Sequence, residues 1–327
     1  MTQACHNCGT YDLDVVFNAP AFDTSSQHVG VYYDVAICKQ CSMHNTLDPD
    51  QDIDAAYSDE YYGTPDSKFL TLIESTVSAL ANSRARSLLR LWGADARERS
   101  QSSILDIGCG RGVLLRAFKS QGASVLGLER EGFVTSQTGM KEICSGSIYD
   151  PAYAKRKFDL IVLWHVLEHL ENQDKLLDHL ASALNSGGIL ILAVPNFGSW
   201  QRMVFGKYWF HLDLPRHLVH IDANWLRNGL SQRGFNIIRE GHFDLLQNTY
   251  GFLQSALNTM AHKRQNALYR ALKNTEGKGR SRILSVLGWG LLATFLLPFA
   301  LADLVLGSLF KKGATVQFIA RIEKPDD

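Results

Sequence analysis

Ile104-Leu105-Asp106-Ile107-Gly108-Cys109-Gly110-Arg111-Gly112 leaves an apolar strand, turns on three glycines and enters an amphipathic run at Val113. A glycine turn between strand and helix opens an α/β unit, because glycine takes the tight turn and lets a ligand approach the backbone. Outward from it, apolar runs and amphipathic stretches alternate, the pattern of a parallel sheet with crossover helices. The predicted strands are Ser103–Ile107, Ser124–Glu129, Glu142–Ile148, Phe158–Trp164, Ile189–Val194, Phe235–Phe243 and, far downstream, Ala314–Ile322. One predicted helix covers 173–185 with Leu176, Leu177, Leu180 and Leu184 on one face, stopped by Gly187-Gly188. Another starts at the N-cap Asp222 and ends at Gly234.

The spacing is G-x-G-x-G with Asp106 two residues before the first glycine, whereas a dinucleotide site has G-x-G-x-x-G. That difference favours the methionine and ribose end of S-adenosylmethionine over a pyrophosphate. Gly108, Gly110 and Gly112 form the turn, and Asp106 is expected near the cofactor's cationic end. Glu129 ends the second strand, seventeen residues past Gly112. Its carboxylate can accept from both ribose hydroxyls. Ser147 and Ile148 put a small polar and an apolar residue where adenine is expected, and Trp164 closes the fourth strand against the cofactor.

LDIGCGRG (105–112), GLER (127–130), FDLIVLWHVLEHL (158–170), LNSGGILILAVPN (184–196) and DLPRHLVHI (213–221) together resemble the class I methyltransferases related to the ubiquinone-biosynthesis O-methyltransferases, over roughly residues 100–245. The resemblance implies a Rossmann-like seven-stranded sheet with an antiparallel last strand, and methyl transfer by direct in-line attack on the sulfonium carbon.

An oxygen acceptor needs a base near neutrality, and histidine is the usual choice. Trp164-His165 follows the fourth strand, and a second cluster from His211 to His220 follows the fifth. His217 ranks first as base, His165 second and His211 third, against the alternative that these histidines cap a helix or order a loop. Glu168-His169 resembles a run that binds a divalent cation in quinone O-methyltransferases, but His165 replaces a carboxylate there, and a structural helix start is the preferred reading. Neither an Asn/Asp-Pro-Pro-aromatic run nor a Pro-Cys dipeptide is present for base methylation.

Cys5-x-x-Cys8 and Cys38-x-x-Cys41 are two knuckles separated by 29 residues. Four thiolates can close a tetrahedron around a structural Zn²⁺. Unrelated thiol turns or a redox switch are the alternatives. A zinc head followed by Tyr57 and Tyr61-Tyr62-Gly63 loosely resembles bacterial sugar methyltransferases, which tilts the acceptor toward a sugar or glycan hydroxyl.

Ile283–Phe310 is 28 residues whose only charge is Asp303, split by Pro298 into arms of 15 and 12 residues. Arms of ~18–23 Å fall short of a ~30 Å hydrocarbon core, so a re-entrant or interfacial hairpin is expected, with a dimer interface or lid as the alternative. Flanking Lys and Arg, including Arg280, Arg282, Lys311 and Lys312, suit anionic lipid.

The chain of 327 residues is 46% hydrophobic, with 33 basic and 33 acidic residues, so no global field attracts nucleic acid. Six cysteines without a secretory leader at MTQACHNCGT suit a reducing compartment, the cytoplasm, with peripheral or monotopic attachment to its membrane. The organisation read from these features is a zinc ribbon (1–50), a helical connector (51–98), the cofactor-binding core (99–245), a basic and apolar helical insertion (246–312) and a last core strand with its tail (313–327). The leading function is O-methylation of a small-molecule, glycan or lipid-linked acceptor. An RNA methyltransferase using the zinc module as reader, and a non-catalytic cofactor-binding scaffold, compete with it.

Overall fold

The computed structural model describes residues 3–21, 30–49, 71–92, 102–130, 139–153, 155–261, 265–272 and 280–323. The tyrosines Tyr57, Tyr61 and Tyr62 lie outside them, as do Lys263, Arg264, Lys273 and Lys278.

Two sheets organise the described residues. The N-terminal strands are β1 (Leu13–Pro20), β2 (Tyr32–Cys38) and β3 (His44–Thr46). The main sheet takes β4 (Ser103–Ile107), β5 (Ser124–Glu129), β6 (Ile143–Ser145), β7 (Phe158–Trp164) and β8 (Leu184–Pro195). After the two-residue β9 (Val219–His220) come β10 (Phe235–Gly241) and β11 (Thr315–Ile322). The seven-stranded order is β10-β11-β8-β7-β4-β5-β6, with β4 to β8 parallel and β11 antiparallel to both neighbours. The mixed α/β fold with an antiparallel penultimate position is therefore the one expected. Strand order reverses at β4, so the crevice at the carboxyl ends of β4 and β7 is where this architecture binds ligands.

The central strands are apolar on both sides because helices cover both faces. On one face α1 (Thr71–Trp92) and α2 (Val113–Ser120) lay Ala81, Ala85, Leu88 and Phe118 against Ile104, Leu160 and Val162. On the other, α3 (Gln173–Ala183) and α5 (Ala223–Gln232) pack Leu176, Leu180, Leu226 and Leu230 against Leu105, Ile161 and Leu163. A short α4 (Trp200–Phe205) lies between α3 and α5 in the chain. Asp222 caps α5 by accepting from the backbone of Asn224 and Trp225.

Two features depart from the sequence reading. The four-stranded sheet runs β1-β2-β3-β9, so the N-terminal module is completed by a strand from the middle of the core. Its packing is continuous with the core too: Cys5, Leu13, Cys38 and Met43 share one apolar cluster with Leu163 and Leu192.

The expected hairpin at Pro298 is the other. After α6 (Leu245–Met260) and α7 (Ala267–Leu272), the chain forms one helix, α8 (Arg280–Leu309), with Pro298 inside it. Proline's fixed φ is itself helical, and reversing the chain needs turn residues that Phe299-Ala300 do not supply. The proline costs a hydrogen bond and leaves the helix whole.

Candidate active site

The first half of the site hangs on the glycine turn. Gly108, Gly110 and Gly112 have φ of +67°, +52° and +72°, a region that side chains rarely adopt. A Cβ at Gly108 would lie 2.4 Å from Val166 Cγ2, and one at Gly112 would lie 2.8 Å from Ile143 Cδ1. At Gly110 a Cβ would meet nothing within 4 Å. Two glycines are thus needed for close packing, and the middle one faces open space.

Glu129 leans into that turn from the neighbouring strand. Its Oε2 accepts from Gly110 N–H at 2.7 Å and its Oε1 from Arg130 N–H at 3.1 Å. Asp106 sits beside it, 3% exposed. Burial, reinforced by the Glu129 charge, pushes the Asp106 carboxyl up to about 8. A site holding two carboxylates at this depth favours a cationic ligand. Ser147 N–H donates to Asp150 Oδ2, and Ile148 is buried at the end of the β6 region. Trp164 packs among the residues under α1, with the Arg84 guanidinium 3.7 Å above its ring.

The second half is a cluster of histidines around Glu168. His165 follows β7 directly, in a left-handed conformation (φ +55°), and its N–H donates to Ala193 O on β8. Its Nδ1 lies 3.3 Å from Glu168 Oε1, and its buried Nε2 has no hydrogen-bond partner among the described residues. Glu168 is 2% exposed. Burial alone would raise its carboxyl, but His165, His169 and His217 outweigh burial and hold it below the ordinary carboxylate range.

His217 Nδ1 donates to the His211 carbonyl at 2.9 Å, which turns Nε2 toward Glu168 Oε1 (3.9 Å) and Asp213 Oδ2 (3.8 Å). Burial, then His169, lowers its imidazole to about 4. His211 donates from Nε2 to Gln247 O at 3.2 Å, packed against Gly251 of α6, and burial lowers it to about 3. Arg216 grips Asp213 through Nε and a second nitrogen. The structure therefore gathers His165, His169 and His217 around one buried carboxylate, while His211 holds His217 Nδ1 through its carbonyl, and His165 stands nearest the glycine turn through its neighbour Val166.

The sequence reading takes Glu168 for part of a structural helix start, and the structure adds that its carboxylate faces the histidines. The residue sits in the middle of a single 3-10 turn, Leu167–His169, and is 2% exposed. Glu168, His169 and His217 offer donor atoms within 4.8 Å of one another. Two imidazoles and one carboxylate there suit a borderline divalent ion better than a hard one.

The N-terminal module buttresses this cluster. Thr46 Oγ1 donates to His217 O at 2.6 Å, and His220 Nε2 lies 3.1 Å from the same hydroxyl. Asn7 caps α3, accepting from Asp174 N–H at 3.0 Å and donating to its carboxylate at 2.7 Å. In the module, Cys5, Cys8, Cys38 and Cys41 bring their sulfurs within 4.8 Å of one another. The Cys5–Cys41 and Cys8–Cys38 pairs stand 3.6 Å apart. A tetrahedron with Zn–S bonds of ~2.3 Å has edges of ~3.8 Å, so the four thiols fit zinc.

A family profile described as a methyltransferase domain matches residues 78–240. A ubiquinone biosynthesis O-methyltransferase from Histophilus somni is 25% identical over 132 residues, covering 36% of this chain and 56% of that protein. One from Chelativorans sp. is 33% identical over 101 residues, covering 28% of this chain and 40% of that protein. The chain thus spans about half the length of these relatives. A crystal structure of a putative sarcosine dimethylglycine methyltransferase from Galdieria sulphuraria superposes with a TM-score of 0.50 at 14% identity, covering 84% of this chain and 99% of that one. The likeness supports the fold. Strand order, glycine turn and family profile coincide on one stretch: residues 78–240 are a class I, S-adenosylmethionine-dependent methyltransferase domain.

Proposed function

We propose that the protein transfers a methyl group from S-adenosylmethionine to a hydroxyl of a sugar, glycan or lipid-linked acceptor at the cytoplasmic membrane face. The observation that carries cofactor use is the open side of Gly110 with the Glu129 carboxylate set against it. In this reading Glu129 exchanges its Gly110 contact for the ribose hydroxyls, Gly108 to Gly112 pass the chain beneath the methionine end, and Asp106 faces the sulfonium. Ser147 and Ile148 border the adenine, and Trp164 walls the far side. The names of the relatives favour oxygen as the acceptor atom.

The acceptor oxygen attacks the methyl carbon, the carbon–sulfur bond breaks with its electrons going to sulfur, and the hydroxyl proton passes to an imidazole. His165 is the better candidate for that base. Its Nε2 has no hydrogen-bond partner among the described residues and its Nδ1 lies against Glu168, whereas His217 Nε2 is turned back toward carboxylates. His217, first by sequence, stands second here and His211 third. Zinc in the four-cysteine site is structural, since four sulfurs leave no open position.

The test is calorimetry with S-adenosylmethionine, followed by labelled-cofactor transfer to sugar nucleotide, lipid and RNA fractions. Tight cofactor binding with label in the lipid or sugar fraction is expected. Label in RNA would replace the acceptor class, and binding without transfer to any fraction would favour the scaffold reading.

A further inference from the structure

We infer that α8 lies flat in one leaflet of an anionic bilayer and holds the acceptor edge of the site against the lipid surface, an inference that rests on the proposed lipid-linked acceptor. A helix on a soluble protein turns its apolar stripe inward and its polar face outward. α8 is apolar on its outward face as well as its inward one. Its buried stripe is Ala300, Leu304 and Gly307, and beside it Asp303, the lone charge of Ile283–Phe310, accepts from Gln201 Nε2 at 2.6 Å. Leu291, Phe295, Phe299, Val305 and Leu309 are between 57% and 76% exposed. At ~100° per residue these five fall within an arc of about 120°, which the exposed Leu301 widens to roughly 160°. The stretch Gly288–Leu309 has 22 residues and a mean hydropathy of 2.0, with 22% of its most apolar window buried.

The packing decides between crossing and lying flat. α8 is flanked along its side by α6 and α7 and touches α4 near its end. To cross a bilayer it would carry α6 with it, including the buried Asn248, Gln254 and Asn258. An interfacial helix submerged by about 5–10 Å needs no such burial.

Lipid is favoured over a second copy by what rims the face. Trp200 packs on Phe310 at 5.5 Å, so α4 extends the surface with Met203 and Val204, which are 67% and 73% exposed. Lys207 and Lys311 stand at that end, both exposed, with Glu240 4.0 Å from Lys311. An aromatic and cationic border matches anionic headgroups, while a second copy would bring the same cations to the same rim.

The platform also reaches the site. α4 starts just past the carboxyl end of β8, and its approach is tied to the histidine loop: Phe197 N–H donates to Ile221 O, and Asn196 Oδ1 accepts from Ala223 N–H. An acceptor anchored in the leaflet would thus meet the edge that carries His165 without leaving the membrane.

The test uses the full chain and sedimentation with phosphatidylcholine vesicles, with and without phosphatidylglycerol. Sedimentation strengthened by phosphatidylglycerol is expected, and salt should weaken it only in part. Phe299→Glu and Val305→Glu should each lower partitioning by about ten-fold or more, with unchanged melting and unchanged calorimetric cofactor affinity. Protein that ignores both vesicles overturns the proposal. So does a lipid-free dimer that these substitutions dissociate, or a protease site placed at Gly288 that is cut only from the far side of sealed vesicles. Loss of cofactor binding by the wild-type protein would sink the methyltransferase reading instead, whatever the vesicles show.

Discussion

At the β4–β5 edge the candidate binding groups are backbone N–H groups, the Glu129 carboxylate and the Asp106 carboxyl, all supplied by residues 106–129. At the β7–β8 edge they are imidazoles from two segments, His165 and His169 of one and His217 of the other, gathered on Glu168 and braced by Thr46 of the N-terminal module. The first edge is local, made of turn geometry that any acceptor class could share. The second exists only when distant segments meet, and there the chain can become specific for its acceptor. The contrast makes a working rule: changes to the module should strike acceptor chemistry and spare the cofactor.

Cys38→Ser gives the largest expected effect. Structural zinc contributes an apparent ~10 kcal/mol or more, so the variant should lose metal and its N-terminal sheet together. Elemental analysis should find no zinc, and turnover should collapse while calorimetry still detects cofactor binding. If cofactor affinity falls equally, the two edges are not separable.

His165→Ala comes next, lowering kcat by about 10²–10⁴-fold with little change in cofactor affinity. Normal turnover in that variant, with the loss appearing in His217→Ala, would restore the order read from sequence.

Glu129→Ala acts on the other edge and should weaken cofactor binding by roughly 1.5–3 kcal/mol. Unchanged affinity would remove the ribose assignment.

A pH titration sharpens the same edge. Burial, then Glu129, raises Asp106 from 3.8 to about 8 in the folded protein. The folded state therefore holds a proton that the unfolded chain has released, and without ligand this group costs stability as pH rises from 3.8 to about 8. A sulfonium beside Asp106 favours the charged form, so cofactor binding should release a proton and tighten as pH rises toward about 8. The demethylated product, lacking the positive sulfur, should show a flatter profile, and Asp106→Asn should abolish the difference. Equal pH profiles for cofactor and product would separate Asp106 from the sulfonium.

Thr46→Val is the mildest change. Losing one buried hydrogen bond to the His217 carbonyl costs about 1 kcal/mol, read as a lower melting temperature and a modest drop in kcat. An effect on cofactor affinity instead would break the rule.

The glycine turn and the seven strands of the main sheet were legible because each is local: a short apolar run bounded by breakers declares itself. β9 was not, since two residues carry no periodicity and Val219-His220 becomes a strand only beside His44 and Asn45. Pro298 misled because proline is compatible with the helix that precedes and follows it. The three histidines could be nominated from spacing, but their order could not. It depends on which ring nitrogen each carbonyl engages, and on a Glu168 side chain whose sequence position suited a helix cap equally well.

The bond between Thr46 and His220 joins residues 174 apart in the chain. During synthesis, the four cysteines and the β1–β2–β3 meander are complete by residue 46, and metal can close them early. Their outer edge must then wait until 219–220 emerges, because contacts of such separation form slowly. A chain trimmed to the methyltransferase domain would leave β9 without its β3 neighbour and α3 without its Asn7 cap. Such a fragment should hold the nucleoside yet lack a settled histidine loop, and its bare strand would be its point of aggregation.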